Sequence, residues 1–186
     1  SSPIKIAASV GKLGGTANTL GFEYILLELL FELRIVFDEM PFELHFFGSG
    51  EYHPAVQNLF KQREVIRRGY VDDIDEELMD CDVFLCVNNA TEFNVGHTRY
   101  LHAWSLECSV VAHKNVRKAM PELEDGVNAL LGSTANELAL HIFSLAKDYE
   151  LRRRISRGGR ETFLKKFLAE RVALILQSYA KDLISD

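Results

Sequence analysis

The sequence predicts a doubly wound α/β fold, a mostly parallel sheet of about six strands with helices on both faces. Three observations carry this. Short apolar runs recur along the chain, each closed by glycine-rich or turn-rich residues. Between consecutive runs lie stretches with the apolar spacing of a helix. Strands alternate with helices throughout, which calls for a parallel sheet covered on both faces.

The elements follow in order. Ile4–Val10 reads as a first buried strand and feeds the glycine-rich loop Gly11–Asn18, followed by a long helix from about Thr19 to Asp38. Phe42–Phe47 is a second strand, Gly48–Glu51 its turn, and Pro54–Gln62 a short helix. Val65–Arg68 is a third strand, closed by Gly69, Tyr70 and Val71, and Asp72–Leu78 opens a short helix. Val83–Val87 is the fourth strand, followed by a loop rich in Asn and Gly and a helical pattern over Thr98–Leu106. Ser109–Ala112 is the fifth strand, and Lys114–Leu123 a polar loop with room for one helical turn. Asn128–Leu131 is a short sixth strand after the turn at Asp125 and Gly126. Helices over Thr134–Lys147, Leu151–Lys166 and Leu168–Leu183 complete the chain.

With 186 residues, 47% hydrophobic and 26% charged, the chain is expected to form one domain with a sizeable core and no internal boundary. The formal net charge of -6 argues against a nucleic-acid partner, although Arg152–Arg154, Arg157 and Arg160 cluster in sequence. Cys81, Cys86 and Cys108 are odd in number, have no CxxC spacing and lie in apolar surroundings, as free thiols in a reducing compartment would. The most apolar segment, Phe22–Phe37, is interrupted by Glu23, Glu28, Glu32 and Arg34, so no transmembrane segment is expected. A cytoplasmic location follows from these two points.

In doubly wound sheets ligands sit at the carboxyl ends of strands, where helix N-termini present N–H groups to anions. Two loops occupy such places. One is Gly11–Asn18, which fits neither GxGxxG nor GxxxxGK[ST], so it reads equally as a phosphate turn or as a tight helix-to-sheet turn. The other is Asn94–Thr98, expected to face the phosphates of a nucleotide-sugar. Asp73-Ile74-Asp75 has the D-x-D form of some metal sites, but acidic residues at a helix start cap free N–H groups, which accounts for them without a metal. His97 and His102 are five apart, about 140° around a helix, and do not suit one zinc ion. His113, after the fifth strand, borders the same crevice and is a weaker candidate base.

The order of these turns resembles one family: the C-terminal, donor-binding half of retaining glycosyltransferases built from two Rossmann-like domains (the GT-B architecture), closest to the glycosyltransferase 4, or group 1, set. Gly11-Lys12-Leu13 followed by Gly21 is similar to the family's "G-R-L … K-G" loop. Gly48-Ser49-Gly50-Glu51 is similar to its "G-x-G" turn, and Gly69-Tyr70-Val71 to its "G-x-V" segment. Val110–Ala112, then Pro121–Leu131, resembles "V-V-A … P-E-x-x-x-D-G-x-N-G-x-L". Leu151–Arg154 and Gly159-Arg160 resemble the "L-R-x-x … G-R" helix that follows.

The resemblance implies a domain that holds a nucleoside diphosphate sugar for metal-independent transfer to an acceptor, with retention of configuration and no separate cofactor. It implies that acceptor binding needs an N-terminal domain or a partner polypeptide, that this part alone is inactive, and that any membrane association is peripheral and runs through that other half. It assigns Lys12, Gly14, Gly15, Asn18 (with Thr16), Gly96, His97, Thr98 and Arg99 to the diphosphate. Tyr70 and Val71 go to the base, Asn94 to the sugar, and His102 or Glu122 to a hydroxyl. Lys12 and Arg99 also have plain readings, as a solvated loop lysine and as a surface or capping residue.

The departures are specific. The family's two donor glutamates, eight positions apart, fall on Asn94 and His102, with Glu92 out of register. The lysine of "K-G" falls on Leu20, and Arg99 is the candidate replacement cation. A non-catalytic interaction or regulatory domain that has lost the donor carboxylates is therefore the alternative function. A related nucleotide-sugar enzyme, such as a 2-epimerase, is a third.

Overall fold

The computed structural model describes residues 2–87, 98–170, 172–174 and 176–177. Six strands form one sheet: β1 (Ile4–Ser9), β2 (Phe42–Phe47), β3 (Val65–Gly69), β4 (Val83–Cys86), β5 (Val110–His113) and β6 (Leu130–Gly132). Every pairing is parallel, and the order across the sheet is β3-β2-β1-β4-β5-β6. The chain moves outward from β1 to β3, then returns to the other side of β1 with β4. The switch point of the topology therefore lies between β1 and β4, where such sheets take their ligands.

Alternation along the strands explains the two helix layers. Ile6, Ala8, Val83, Leu85 and Val111 point into one core, while Ala7, Phe84, Cys86, Val110 and Ala112 point into the other. Both sets are buried, so each face must be covered. The first core is covered by the helix after β1 and by α6 (Ala135–Lys147). The second is covered by α4 (Ile74–Met79), α5 (Arg99–Ser105) and α7 (Tyr149–Lys166).

The helix after β1 departs from expectation. It begins at Thr16 and has three parts: α1 (Thr16–Glu23), a π-helical segment Tyr24–Leu29, and α2 (Leu30–Phe37). Gly15, at φ 124°, turns the chain sharply enough for the helix to start at once. In the wider π turn Tyr24, Ile25 and Leu26 are all buried, and Leu27 is turned to solvent. The expected helix over Pro54–Gln62 is α3 (Pro54–Gln57) followed by a 3-10 turn at Leu59–Lys61.

β6 also starts later than expected, because Asn128 has another task. It is 1% exposed, and its Oδ1 accepts from the Glu124 N–H at 2.8 Å. Its Nδ2 donates to the Glu122 carbonyl at 2.9 Å and to Thr162 Oγ1 at 3.1 Å. Its own carbonyl accepts from Trp104 Nε1 at 3.0 Å. One amide thus closes the turn and ties it to α5 and α7, and a strand ladder is not available to it. Of the expected last helix, residues 168–170, 172–174 and 176–177 are described, and all but Leu168 are helical.

Asp73 caps α4 as its sequence position suggested. Its Oδ1 accepts from the N–H groups of Asp75 and Glu76 at 3.0 and 3.1 Å. Asp73→Ala is expected to cost about 1 kcal/mol in a urea titration. The cysteines are free, and burial pushes the thiols of Cys81 and Cys86 up to about 12 and of Cys108 to about 11. Such thiols pack as apolar groups and are poor nucleophiles. Among the described residues, no helix is long and apolar enough to cross a membrane.

Candidate functional site

Three loops meet at the carboxyl ends of β1, β2 and β3. Backbone hydrogen bonds stitch them: Gly11 N to Phe47 O at 3.2 Å, Leu13 N to Ser49 O at 3.0 Å, and Gly48 N to Gly69 O at 2.8 Å. They enclose a mostly apolar pocket of about 380 Å³. Its wall is Val10, Phe47, Tyr70, Val71 and Ile74, with Lys12 and Ser49 at the polar rim. Tyr70 is 78% exposed, a ring with a free face at the pocket edge. An apolar slot of this size with a few polar groups suits a planar aromatic ligand such as a nucleobase.

Gly48 makes the close approach possible. Its φ is 147°, and a Cβ there would lie 1.7 Å from the Gly11 carbonyl oxygen. Gly48→Ala must push the two loops apart. It is expected to lose about 1–3 kcal/mol of stability by denaturant titration and to open the pocket.

Beside this pocket, at the switch point, the loop after β1 meets α5. Arg99 opens α5 and reaches across to the first loop, where Nη2 donates to Asn18 Oδ1 at 2.9 Å. Asn18 Nδ2 donates in turn to the Lys12 carbonyl at 2.5 Å. Arg99 is half-buried, and burial pulls its pKa below the ordinary arginine value. Among the described residues no carboxylate pairs with it; its one side-chain partner there is a neutral amide oxygen. A half-buried guanidinium that has no carboxylate partner among the described residues is a candidate anion site.

The start of α1 adds donors. Gly15 provides no side-chain cap, the first turn carries no acidic residue, and Thr16 and Ala17 are exposed. The N–H groups of this turn and the positive end of the helix therefore face the same loop. Gly14 approaches the Glu51 carbonyl, which a Cβ would meet at 3.5 Å, and Lys12 is exposed in the same loop.

The remaining sequence candidates are distributed differently. Asn94, Gly96 and His97 lie outside the described residues. Thr98 is exposed at the N-cap of α5 and makes no side-chain capping bond. His102, expected on a ligand hydroxyl, has its Nε2 2.6 Å from Asp75 Oδ1, so it bridges α5 to α4. Glu122 lies beside Tyr100, whose phenol pKa is raised by burial first and by Cys86 and Glu122 next, and its carbonyl serves the Asn128 turn. His113 uses both ring nitrogens: Nε2 donates to Ser133 O at 3.1 Å and Nδ1 accepts from Asn115 N at 3.2 Å. Burial lowers its pKa, and its bonding leaves no nitrogen free for a base.

A second depression of about 430 Å³ lies at the amino ends of β4 and β5, among Cys81, Cys108, Tyr149 and Arg152. Its Arg152 is neutralised by Asp82 at 2.9 Å, and no loop at a strand's carboxyl end reaches it. The chemistry therefore favours the switch-point site.

Comparison with known proteins bears on the family and the fold. Residues 5–148 match the model of the family described as "Glycosyl transferases group 1". Solved structures share the fold. A glycosyltransferase from Rickettsia africae ESF-5 superposes with a TM-score of 0.73 at 15% identity, over 100% of this chain and 49% of its own. HepE from Anabaena, solved in complex with UDP-glucose, gives 0.63 at 22% identity, over 97% and 49%. The C-terminal domain of the group 1 protein LpcC from Francisella tularensis gives 0.61 at 20% identity, over 89% and 87%. The chain spans about half the length of the first two. No curated protein matches the sequence.

Proposed function

The chain belongs to the group 1 glycosyl transferases, and on that premise we propose that it is a donor-binding domain, holding a nucleoside diphosphate sugar for transfer to an acceptor bound by another domain or polypeptide. The observation that carries the proposal is Arg99, a half-buried cation at the switch point whose partner is the neutral Asn18 amide. A diphosphate supplies a counter-charge that no described residue provides.

In this reading the base enters the apolar pocket against Tyr70 and Val71, and the diphosphate lies over Gly14, Gly15 and the first turn of α1. Arg99 and Lys12 meet its charge, and as the glycosidic bond breaks the leaving diphosphate gains negative charge that Arg99 stabilises without a metal. HepE, of the same fold, was solved with UDP and with UDP-glucose, which supports a uridine nucleotide as the first ligand to try. The transfer is proposed to be retaining, with Asn94 on the sugar.

One observation favours a second reading. His102, where the family places a carboxylate, is tied to Asp75. A non-catalytic interaction or regulatory domain that has lost the donor carboxylates would be built this way.

The test is a thermal-shift and calorimetric panel of UDP, GDP, ADP and CMP with their sugar conjugates, with and without EDTA. A ligand at a hundred times its dissociation constant adds about 2.7 kcal/mol of stability. EDTA-insensitive stabilisation by one diphosphate supports the donor domain. Stabilisation without transfer, when the acceptor half is supplied, points instead to a related nucleotide-sugar enzyme. Silence across the panel counts against the donor domain and supports the second reading.

A further inference from the structure

The helix from Thr16 to Phe37 buries one side, and its opposite side carries a second apolar row. Leu27, Phe31 and Ile35 stand four residues apart and are 58%, 60% and 58% exposed. The neighbouring helix α6 is held alongside by Asn136 Nδ2, which donates to Glu32 Oε2 at 2.9 Å. One turn beyond Asn136, Leu140 is also largely exposed and widens the row. Isolated apolar side chains on a surface need no explanation, but a contiguous group of this size does.

The frame of this row is acidic. Between Thr16 and Glu39 the chain has five carboxylates, Glu23, Glu28, Glu32, Asp38 and Glu39, and one basic residue, Arg34. Arg34 is turned to the edge of β3, where it meets Glu64 at 2.7 Å and Gln62 at 3.1 Å. The Arg34 guanidinium holds the Glu64 carboxyl below the usual carboxylate range, so its charge is already paired.

We propose that this row is the docking surface for a basic amphipathic helix of a partner protein, with apolar residues at four-residue spacing and Lys or Arg on its flanks. The apolar row supplies the buried contact, and the carboxylates select the sign of the partner. A second copy of this chain would bring the same acidic frame against itself, and an anionic lipid surface would be repelled in the same way. The surface is on the outer side of the helix layer, separate from the nucleotide pocket, and stands whether or not that pocket is filled.

The test uses two synthetic 18-residue helical peptides with the same leucine row, one flanked by lysine and one by glutamate, titrated into the labelled chain by fluorescence anisotropy. The lysine peptide is expected to bind saturably and at least about tenfold more tightly than the glutamate peptide. Phe31→Asp should weaken it by about tenfold or more with an unchanged melting temperature, since the side chain is exposed. Reversal of Glu28 and Glu39 to Lys should remove the preference. Equal binding of both peptides, or binding that survives Phe31→Asp, would reduce the effect to general attraction by an acidic protein and overturn the proposal. So would no binding at all, or self-association of the chain that Phe31→Asp abolishes.

Discussion

Arg99→Leu abolishes most nucleotide binding and leaves the unliganded fold as stable as before, or more so. The two halves of this expected result have one cause. In the free chain the guanidinium is half-buried and, among the described residues, its side-chain partner is the Asn18 amide oxygen, so burial disfavours its charge. Leucine keeps the apolar stem and removes that cost. With a diphosphate bound, the same group makes charge-assisted hydrogen bonds worth about 1.5–3 kcal/mol, which corresponds to roughly tenfold to a hundredfold in affinity. Calorimetry of the variant with the nucleotide chosen by the panel measures the first half, and urea titration without ligand measures the second. Lys12→Ala is expected to matter less, because Lys12 is solvated and screened. Unchanged affinity in the double variant of Lys12 and Arg99 would remove the site from this loop altogether.

The second large effect concerns Trp104. Its side chain is 0% exposed, stacks edge-on with Tyr100 at 5.2 Å between ring centroids, and donates to the Asn128 carbonyl. On its other side α7 comes in over Gly159, where a Cβ would meet Trp104 Cδ1 at 2.3 Å. Next to it, a Cβ on Gly158 would meet the Val127 carbonyl at 2.0 Å. Trp104→Ala removes the filling of this joint and leaves a buried acceptor without its donor. A loss of about 3–5 kcal/mol is expected, read as a lower urea midpoint. Gly159→Ala alone should also destabilise, through collision with the indole. Combined with Trp104→Ala it should add nothing further, because the collision partner is gone. Additive losses would mean that the two residues do not share this joint.

Much of the fold was legible because buried parallel strands and amphipathic helices leave strong periodicities. A continuous apolar run such as Ile6-Ala7-Ala8 on β1, closed by a glycine-rich turn, marks a strand buried on both faces. The π segment was not legible, since Tyr24–Leu29 has an ordinary helical composition, and only the packing of three successive apolar residues shows the wider turn. Asn128 read as a strand residue because its neighbours are apolar; its four hydrogen bonds come from residues that only the fold gathers.

The site was legible in parts. Lys12, Asn18 and Arg99 were each named, but the bond between Asn18 and Arg99 spans 81 positions, and nothing local announces it. Tyr70 and Val71 do line the pocket with Lys12. His102 had a local signal for a ligand role, yet Asp75 from another helix claims it. Gly158 was passed over and Gly159 was noted only within a motif, since a glycine in an arginine-rich helix shows its purpose only when the indole facing it is in place.

The sheet order has a consequence for synthesis. β1, the first of the described strands to be made, ends up in the middle of the sheet, flanked by β2 and β4. Its pairing with β2 can form once Phe47 has emerged, but its other edge waits for Val83. At a translation rate of about 5–20 residues per second, some 74 residues take roughly 4–15 s. Throughout that interval a strand carrying Ile6, Ala7 and Ala8 has an unpaired edge, a template for wrong partners. The growing polypeptide is therefore most exposed to misassembly between the emergence of β1 and that of β4, a window in which holdase chaperones would have the most to protect.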